Sequence, residues 1–103
     1  MYIVIFITVP NKKEAKRIAQ QLIGNRLAAC VNVVENIYSY FWWQAKIDTA
    51  KEALLIIKTR KTLVNKLIKK VKLLHSYKVP EIIALPIISG NKQYLEWVNA
   101  STK

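Results

Sequence analysis

Residues 29–59 read ACVNVVENIYSYFWWQAKIDTAKEALLIIKT, and the fold turns on how this stretch is parsed. From Ala29 to about Trp43 the chain is rich in Val, Ile, Tyr, Phe and Trp, residue types that suit a pleated, half-buried surface. That is long for one strand, and Asn32, Glu35 and Asn36 interrupt its apolar character, so a bulge or bend is expected near Asn36. Gln44 to Lys46 is the expected turn. Ile47 to Thr59 reads as the returning strand, with Ala53, Leu54, Leu55, Ile56 and Ile57 as its buried centre. The whole segment is therefore one long hairpin.

Working outward, Tyr2–Val9 is a run of apolar, mostly β-branched residues that reads as a buried strand closed by Pro10. Asn11 followed by Glu14 is the pattern of a capped helix start in which side chain and carboxylate answer each other. Ala15, Ile18, Ala19, Leu22 and Ile23 continue at helical spacing until Gly24. Beyond the hairpin, Leu63, Leu67, Val71 and Leu74 mark a second helix, widened by Val64 and Ile68 and ending near His75. Pro80 makes residues 76–81 a loop, because the residue before proline is pushed out of the helical region. Ile82–Ile88 reads as a last strand, with Pro86 marking an edge or bulge position. Gly90 and Asn91 open a short final helix carrying Tyr94, Leu95 and Val98. The order is βαββαβ plus a helix. It predicts an α+β, ferredoxin-like sandwich with two helices on one face of an antiparallel sheet, in one domain spanning residues 1–103.

Composition narrows the class. Two Gly and three Pro exclude collagen-like and disordered chains. A domain of this size buries only about two-thirds of its unfolded surface. With 52% apolar residues, part of that apolar surface is expected to be covered by another subunit. Cys30 is the lone cysteine, so there is no intrachain disulfide and no paired-cysteine zinc framework, and a reducing, cytoplasmic setting is expected. No apolar run is long enough for a membrane span, and the N-terminus lacks the basic region and cleavage site of a signal peptide.

Three segments are less generic: RLAACVN (26–32), YFWW (40–43) and HSYKVPEII (75–83). Together with Lys58-Thr59 and YLEW (94–97), and in this order along nearly the whole chain, they resemble the CutA1 family, the divalent-cation tolerance proteins. The resemblance implies a ferredoxin-like subunit that assembles as a homotrimer. It implies a hairpin that extends a neighbour's sheet, a link to copper and other divalent metals, and an architecture similar to the trimeric PII signalling proteins. His75 falls on a position implicated in copper binding in bacterial members. Those members also carry a cysteine in the first strand and a second histidine just before the matched one. Ile7 and Leu74 stand at those positions here, and neither can bind a metal. The resemblance also places Lys58, Tyr77 and Glu81 in a pocket between subunits.

Each candidate residue has two readings. The imidazole of His75, the only histidine, could ligate Cu(II) or Zn(II), or could bond the last carbonyls of its helix. Cys30 could supply a soft thiolate, or be a buried, inert thiol. Glu81 and Lys58 could pair, or line a cleft with Tyr77, or simply reach water. Tyr40, Phe41, Trp42 and Trp43 form a trimer interface if exposed, or cap the subunit's own core. The formal charge of +11 includes Lys61, Lys66, Lys69, Lys70 and Lys72 along the second helix. The strand Ala53–Lys58 carries no aromatic rings for base stacking, so specific nucleic-acid binding is not expected. No Gly-rich phosphate loop, serine elbow or HExxH motif occurs, which argues against an enzyme. The expected function is non-catalytic binding of a divalent metal or small ligand at subunit interfaces. His75, Cys30 and Glu81 are the candidate metal donors, and Cu(II) or another divalent cation is the ligand. The alternative is a PII-like signalling or scaffold trimer.

Overall fold

A computed structural model describes residues 1–103. The elements are β1 (Tyr2–Val9), α1 (Lys12–Gly24), β2 (Cys30–Trp43), β3 (Lys46–Arg60), a 3-10 turn (Lys61–Leu63), α2 (Val64–Leu74), β4 (Ile82–Pro86) and α3 (Lys92–Ser101). The four strands form one antiparallel sheet in the order β2-β3-β1-β4. This is the expected split βαβ arrangement.

Side chains alternate across the sheet with period two. Ile3, Ile5, Ile7 and Val9 of β1 and Ala53, Leu55, Ile57 and Thr59 of β3 point to the helix-covered face and are buried. They pack with Ala15, Ile18 and Leu22 of α1 and Leu67 and Val71 of α2 into one core. The expected continuous buried run at residues 53–57 is thereby corrected. Leu54 and Ile56 face the other way and are only half-buried.

The bulge lies where it was expected. The register jumps between Val34 and Ile37, so Glu35 and Asn36 together oppose Ala53, and Asn36 takes φ 60°. One extra residue bends the strand and strengthens its twist. The hairpin then runs on to a two-residue turn in which Gln44 (φ 51°) and Ala45 (φ 63°) are both left-handed. That geometry matches the twist of the strands but normally selects Asn and Gly. The sequence Gln-Ala carries no such signal, and the strand twist imposes the turn.

Three local expectations need correction. Asn11 does cap α1, its Oδ1 accepting from the Glu14 N–H at 2.9 Å, but the Glu14 carboxylate does not answer it. It accepts instead from the Ser76 N–H at 2.9 Å, because that loop lies beside the start of α1 and offers a backbone amide. Gly24 is the last residue of α1 rather than the stop, and the left-handed residue is Arg26 (φ 57°). Strand β4 ends at Pro86, not Ile88, on the sheet edge where a missing N–H costs no ladder bond.

Candidate functional site

Where β4 stops, β1 continues. The last β1–β4 pair is Ile7 with Ile82, so the next carbonyl of β1, that of Thr8, has no strand on that side. A buried carbonyl needs a donor, and His75 Nε2 supplies it at 2.8 Å. A carbonyl can only accept, so Nε2 carries the proton and Nδ1 holds the lone pair. Nδ1 accepts from the Tyr77 N–H at 3.0 Å. The ring is fully enclosed, and a Glu14 carboxylate oxygen lies 3.4 Å from Nδ1. Tyr77 packs its ring against the imidazole, with centroids 4.9 Å apart, and its hydroxyl donates to Glu52 Oε2 at 2.8 Å.

The result is a closed chain of polar contacts joining β1, α1, the loop 75–81 and β3. The His75 backbone N–H closes its own helix on the Val71 carbonyl at 2.8 Å, but the imidazole does not bond the last helix carbonyls. Arg17 of α1 does that, donating to the Leu74 carbonyl at 2.7 Å. Glu14 was read from the sequence only as part of the α1 cap, and Glu52 was not singled out at all. Their only signal there is position, Glu14 three residues after a cap and Glu52 directly before an apolar run.

Burial, then the hydrogen bond to Glu52, then the charges of Glu52 and Glu14 push the Tyr77 hydroxyl up to about 12 from its ordinary 10.0. The neutral phenol is the form the fold stabilises. That contribution is complete below pH 10 and is lost as pH rises toward 12. The unfolding midpoint of the protein is therefore expected to fall over that window, and to fall less in Tyr77→Phe. Thermal melts at graded alkaline pH check this, and identical slopes for the two proteins would refute it.

Next to this network, a cleft of roughly 210 Å³ is lined by Asn11, Lys12, Glu35, Asn36, Lys51 and Glu52 among others. It exists because the bulge turns Glu35 and Asn36 toward the start of α1, where Lys12 lies 3.6 Å from Glu35.

Cys30 and Lys58 lie elsewhere. They pair across β2 and β3, and Lys58 also pairs with Val4. Thr8, which His75 contacts, is four residues farther along β1, about 13 Å at strand rise. The Lys58 ammonium donates to Asn32 Oδ1 and lies 3.8 Å from Cys30 Sγ. Cys30 is half-buried. Tyr94 of α3 is nearby, and its hydroxyl is raised above the ordinary tyrosine value by burial first and then by Cys30. Glu81 is exposed ahead of β4.

The single chain thus brings His75 together with Tyr77 and the two unexpected carboxylates, and keeps Cys30 with Lys58. It assembles no group of three or more His, Cys, Asp and Glu side chains that could hold a metal. Both His75 nitrogens are engaged by the chain itself. An imidazole ligand would have to give up either the Thr8 carbonyl or the Tyr77 amide. Within the chain, the residues present do not fit a resident metal centre.

Tyr38, Tyr40, Phe41, Trp42, Trp43 and Ile47 stand exposed on the far part of the hairpin, and the molecule is drawn out to 44 × 26 × 23 Å. No helix is long and apolar enough to cross a membrane.

The chain is a βαββαβ sandwich whose β2–β3 hairpin outgrows its own core and whose polar network ties the end of β1 to the loop after α2. Residues 3–101 match the model of the CutA1 divalent ion tolerance protein family, and the chain belongs to that family. It is 54% identical over 101 residues to the chloroplastic protein CutA 1 of Oryza sativa subsp. japonica, aligning 98% of this chain with 57% of that one. It is 46% identical over 99 residues to the divalent-cation tolerance protein CutA of Thermus thermophilus, covering 96% of each. The chain thus spans a little over half the length of the plant relatives it matches. Among solved structures, CutA1 from Oryza sativa superposes with a TM-score of 0.97 at 53% identity, covering 99% of this chain and 94% of that one. The divalent cation tolerance protein from Thermus thermophilus superposes with a TM-score of 0.98 at 46% identity over the full length of both.

Proposed function

We propose that this chain works as a non-catalytic homotrimer that binds a divalent cation or small ligand at the junction between subunits. The observation that carries this reading is the hairpin. A 103-residue core cannot cover it, and its aromatic surface suits burial against copies of itself. Family membership supports the link to divalent cations. A reducing, cytoplasmic setting agrees with the free thiol of Cys30.

The single-chain geometry shapes the cation part of the proposal. His75 acts as a positioning group, since its lone pair is already used. Cys30 and Glu81 are the donors of the candidate set not tied into the buried network, and they complete a coordination sphere only with oxygen or nitrogen donors of a neighbouring subunit. Lys58 and Tyr77, which lie apart within one chain, border a common ligand pocket only across the junction between subunits. Cu(II) is the metal to test first, because the Cys30 thiolate is a donor that suits copper.

A Cu(II) titration at neutral pH and physiological salt, run on the wild-type chain beside Cys30→Ala and Glu81→Gln, checks the proposal. Binding is expected in the wild type, weakened at least tenfold in Cys30→Ala, and weaker at lower pH, where protons compete for the donors. Binding unchanged in both variants would remove the assigned donors. No binding at all would remove the cation, and the PII-like small-ligand or scaffold trimer would then lead, because the closed His75 network already favours it.

A further inference from the structure

We propose a second binding site, on the helix layer, for a short linear polyphosphate. A groove of roughly 360 Å³ opens between the end of α1, the outer face of α2 and the last residue, lined by Asn25, Leu27, Lys66, Lys69, Lys70 and Lys103 with Leu73 at its side. Its volume falls in the range of small-molecule sites, about 300–1,000 Å³.

Three observations point to an anion with several linked charges. First, Lys66, Lys69 and Lys70 follow the i, i+3, i+4 spacing that places side chains on one helix face. Like charges at that spacing weaken an isolated helix, and a bound polyanion relieves the repulsion. Second, no acidic side chain lines the groove. The three stretches that build it, residues 15–34, 53–80 and 97–103, contain no Asp or Glu at all. The ion pairs of the chain are Lys12 with Glu35 and His75 with Glu14, so the groove lysines have no carboxylate partner. Third, the backbone that carries the fourth lysine is anchored beside the groove. The Lys103 N–H donates to the Arg26 carbonyl at 3.0 Å, which brings the end of the chain back to the left-handed turn after α1.

Ammonium groups are point-charge binders of phosphate without the planar fork that selects a carboxylate. A row of them in an open groove suits a chain of phosphates better than a single one. No residue of the hairpin lines this groove.

The test is calorimetric titration with sodium tripolyphosphate at about 50 mM salt, where counterion release favours binding. The wild-type chain is expected to bind, and K66Q/K69Q/K70Q to bind at least tenfold more weakly. K13Q/K16Q/K78Q removes the same net charge outside the groove and is expected to stay within about threefold of wild type. ATP is run as a second probe. Affinity equal to that of tripolyphosphate assigns recognition to the phosphate chain, and a large preference for ATP overturns a phosphate-only site. No wild-type binding, or equal weakening in both triple variants, overturns the proposal. A single-stranded RNA that displaces tripolyphosphate from the same lysines at far lower concentration overturns it in favour of a nucleic-acid surface.

Discussion

Replacing Trp42 and Trp43 together by glutamate is expected to dissociate the proposed trimer. Sedimentation at physiological salt should show the wild type at about three times 11.9 kDa and the double variant near 11.9 kDa. The reason lies in strand periodicity. Tyr40 and Trp42 point to one side of the hairpin, Phe41 and Trp43 to the other. Tyr40 and Trp42 are 75% and 73% exposed and Trp43 is 61% exposed, so neither side is covered by the chain itself. A two-stranded ribbon with bare faces is marginal in water. Covering one large aromatic side chain is worth roughly 1.5–3 kcal/mol, and every 1.4 kcal/mol is about tenfold in association. Two such residues in every subunit, replaced by a charge that resists burial, outweigh any plausible gain elsewhere. Each subunit carries +11, so assembly should also strengthen with added salt as screening reduces repulsion between copies. A wild-type monomer, or a double variant that stays assembled, would sink the proposed trimer and the site at its junctions.

The second large effect is expected at His75. Truncation to alanine empties a fully enclosed ring position and removes two hydrogen bonds, leaving the Thr8 carbonyl and the Tyr77 amide without partners. Each buried polar group left unsatisfied costs about 1–3 kcal/mol, and the cavity adds to that. A loss of roughly 3–5 kcal/mol places this among the severe single substitutions. For a domain of about 100 residues it lowers the melting midpoint by at least ~10 °C. Thermal and denaturant unfolding at matched protein concentration check this, the concentration being fixed because assembly itself shifts the midpoint. His75→Gln retains a donor that can reach a carbonyl and is expected to lose less. Melting of His75→Ala within a degree or two of wild type would show that the network holds nothing together. A residue important for metal and a residue important for the fold give the same loss of function on truncation. Cys30 and Glu81, which lie outside the buried network, are therefore the cleaner probes of cation binding.

The elements themselves were legible along the chain. The apolar, β-prone run of Tyr2–Val9, the three-and-four spacing of Leu63, Leu67, Val71 and Leu74, and the punctuation by Pro10, Pro80 and Gly90 each record a local preference that the packed structure keeps. The bulge at Glu35–Asn36 was legible too, because polar residues interrupt an apolar strand there. These are properties of neighbours in sequence, and a periodic pattern is enough to display them.

The site was not legible in the same way. His75 was visible as the only histidine, but its chemistry depends on where β4 ends relative to β1. That leaves the Thr8 carbonyl in need of a donor 67 positions away in sequence. Glu14 looked like a helix cap until the loop 75–81 offered it another amide, and Glu52 drew no reading at all until the fold brought Tyr77 to it. Cys30 and His75 looked like possible partners, and strand register set them apart. Sequence by itself determined the order and kind of the elements and the residues that had to be buried. Only the tertiary structure decided which lone pairs were left free, because hydrogen-bond satisfaction in the interior is settled between segments far apart in the chain.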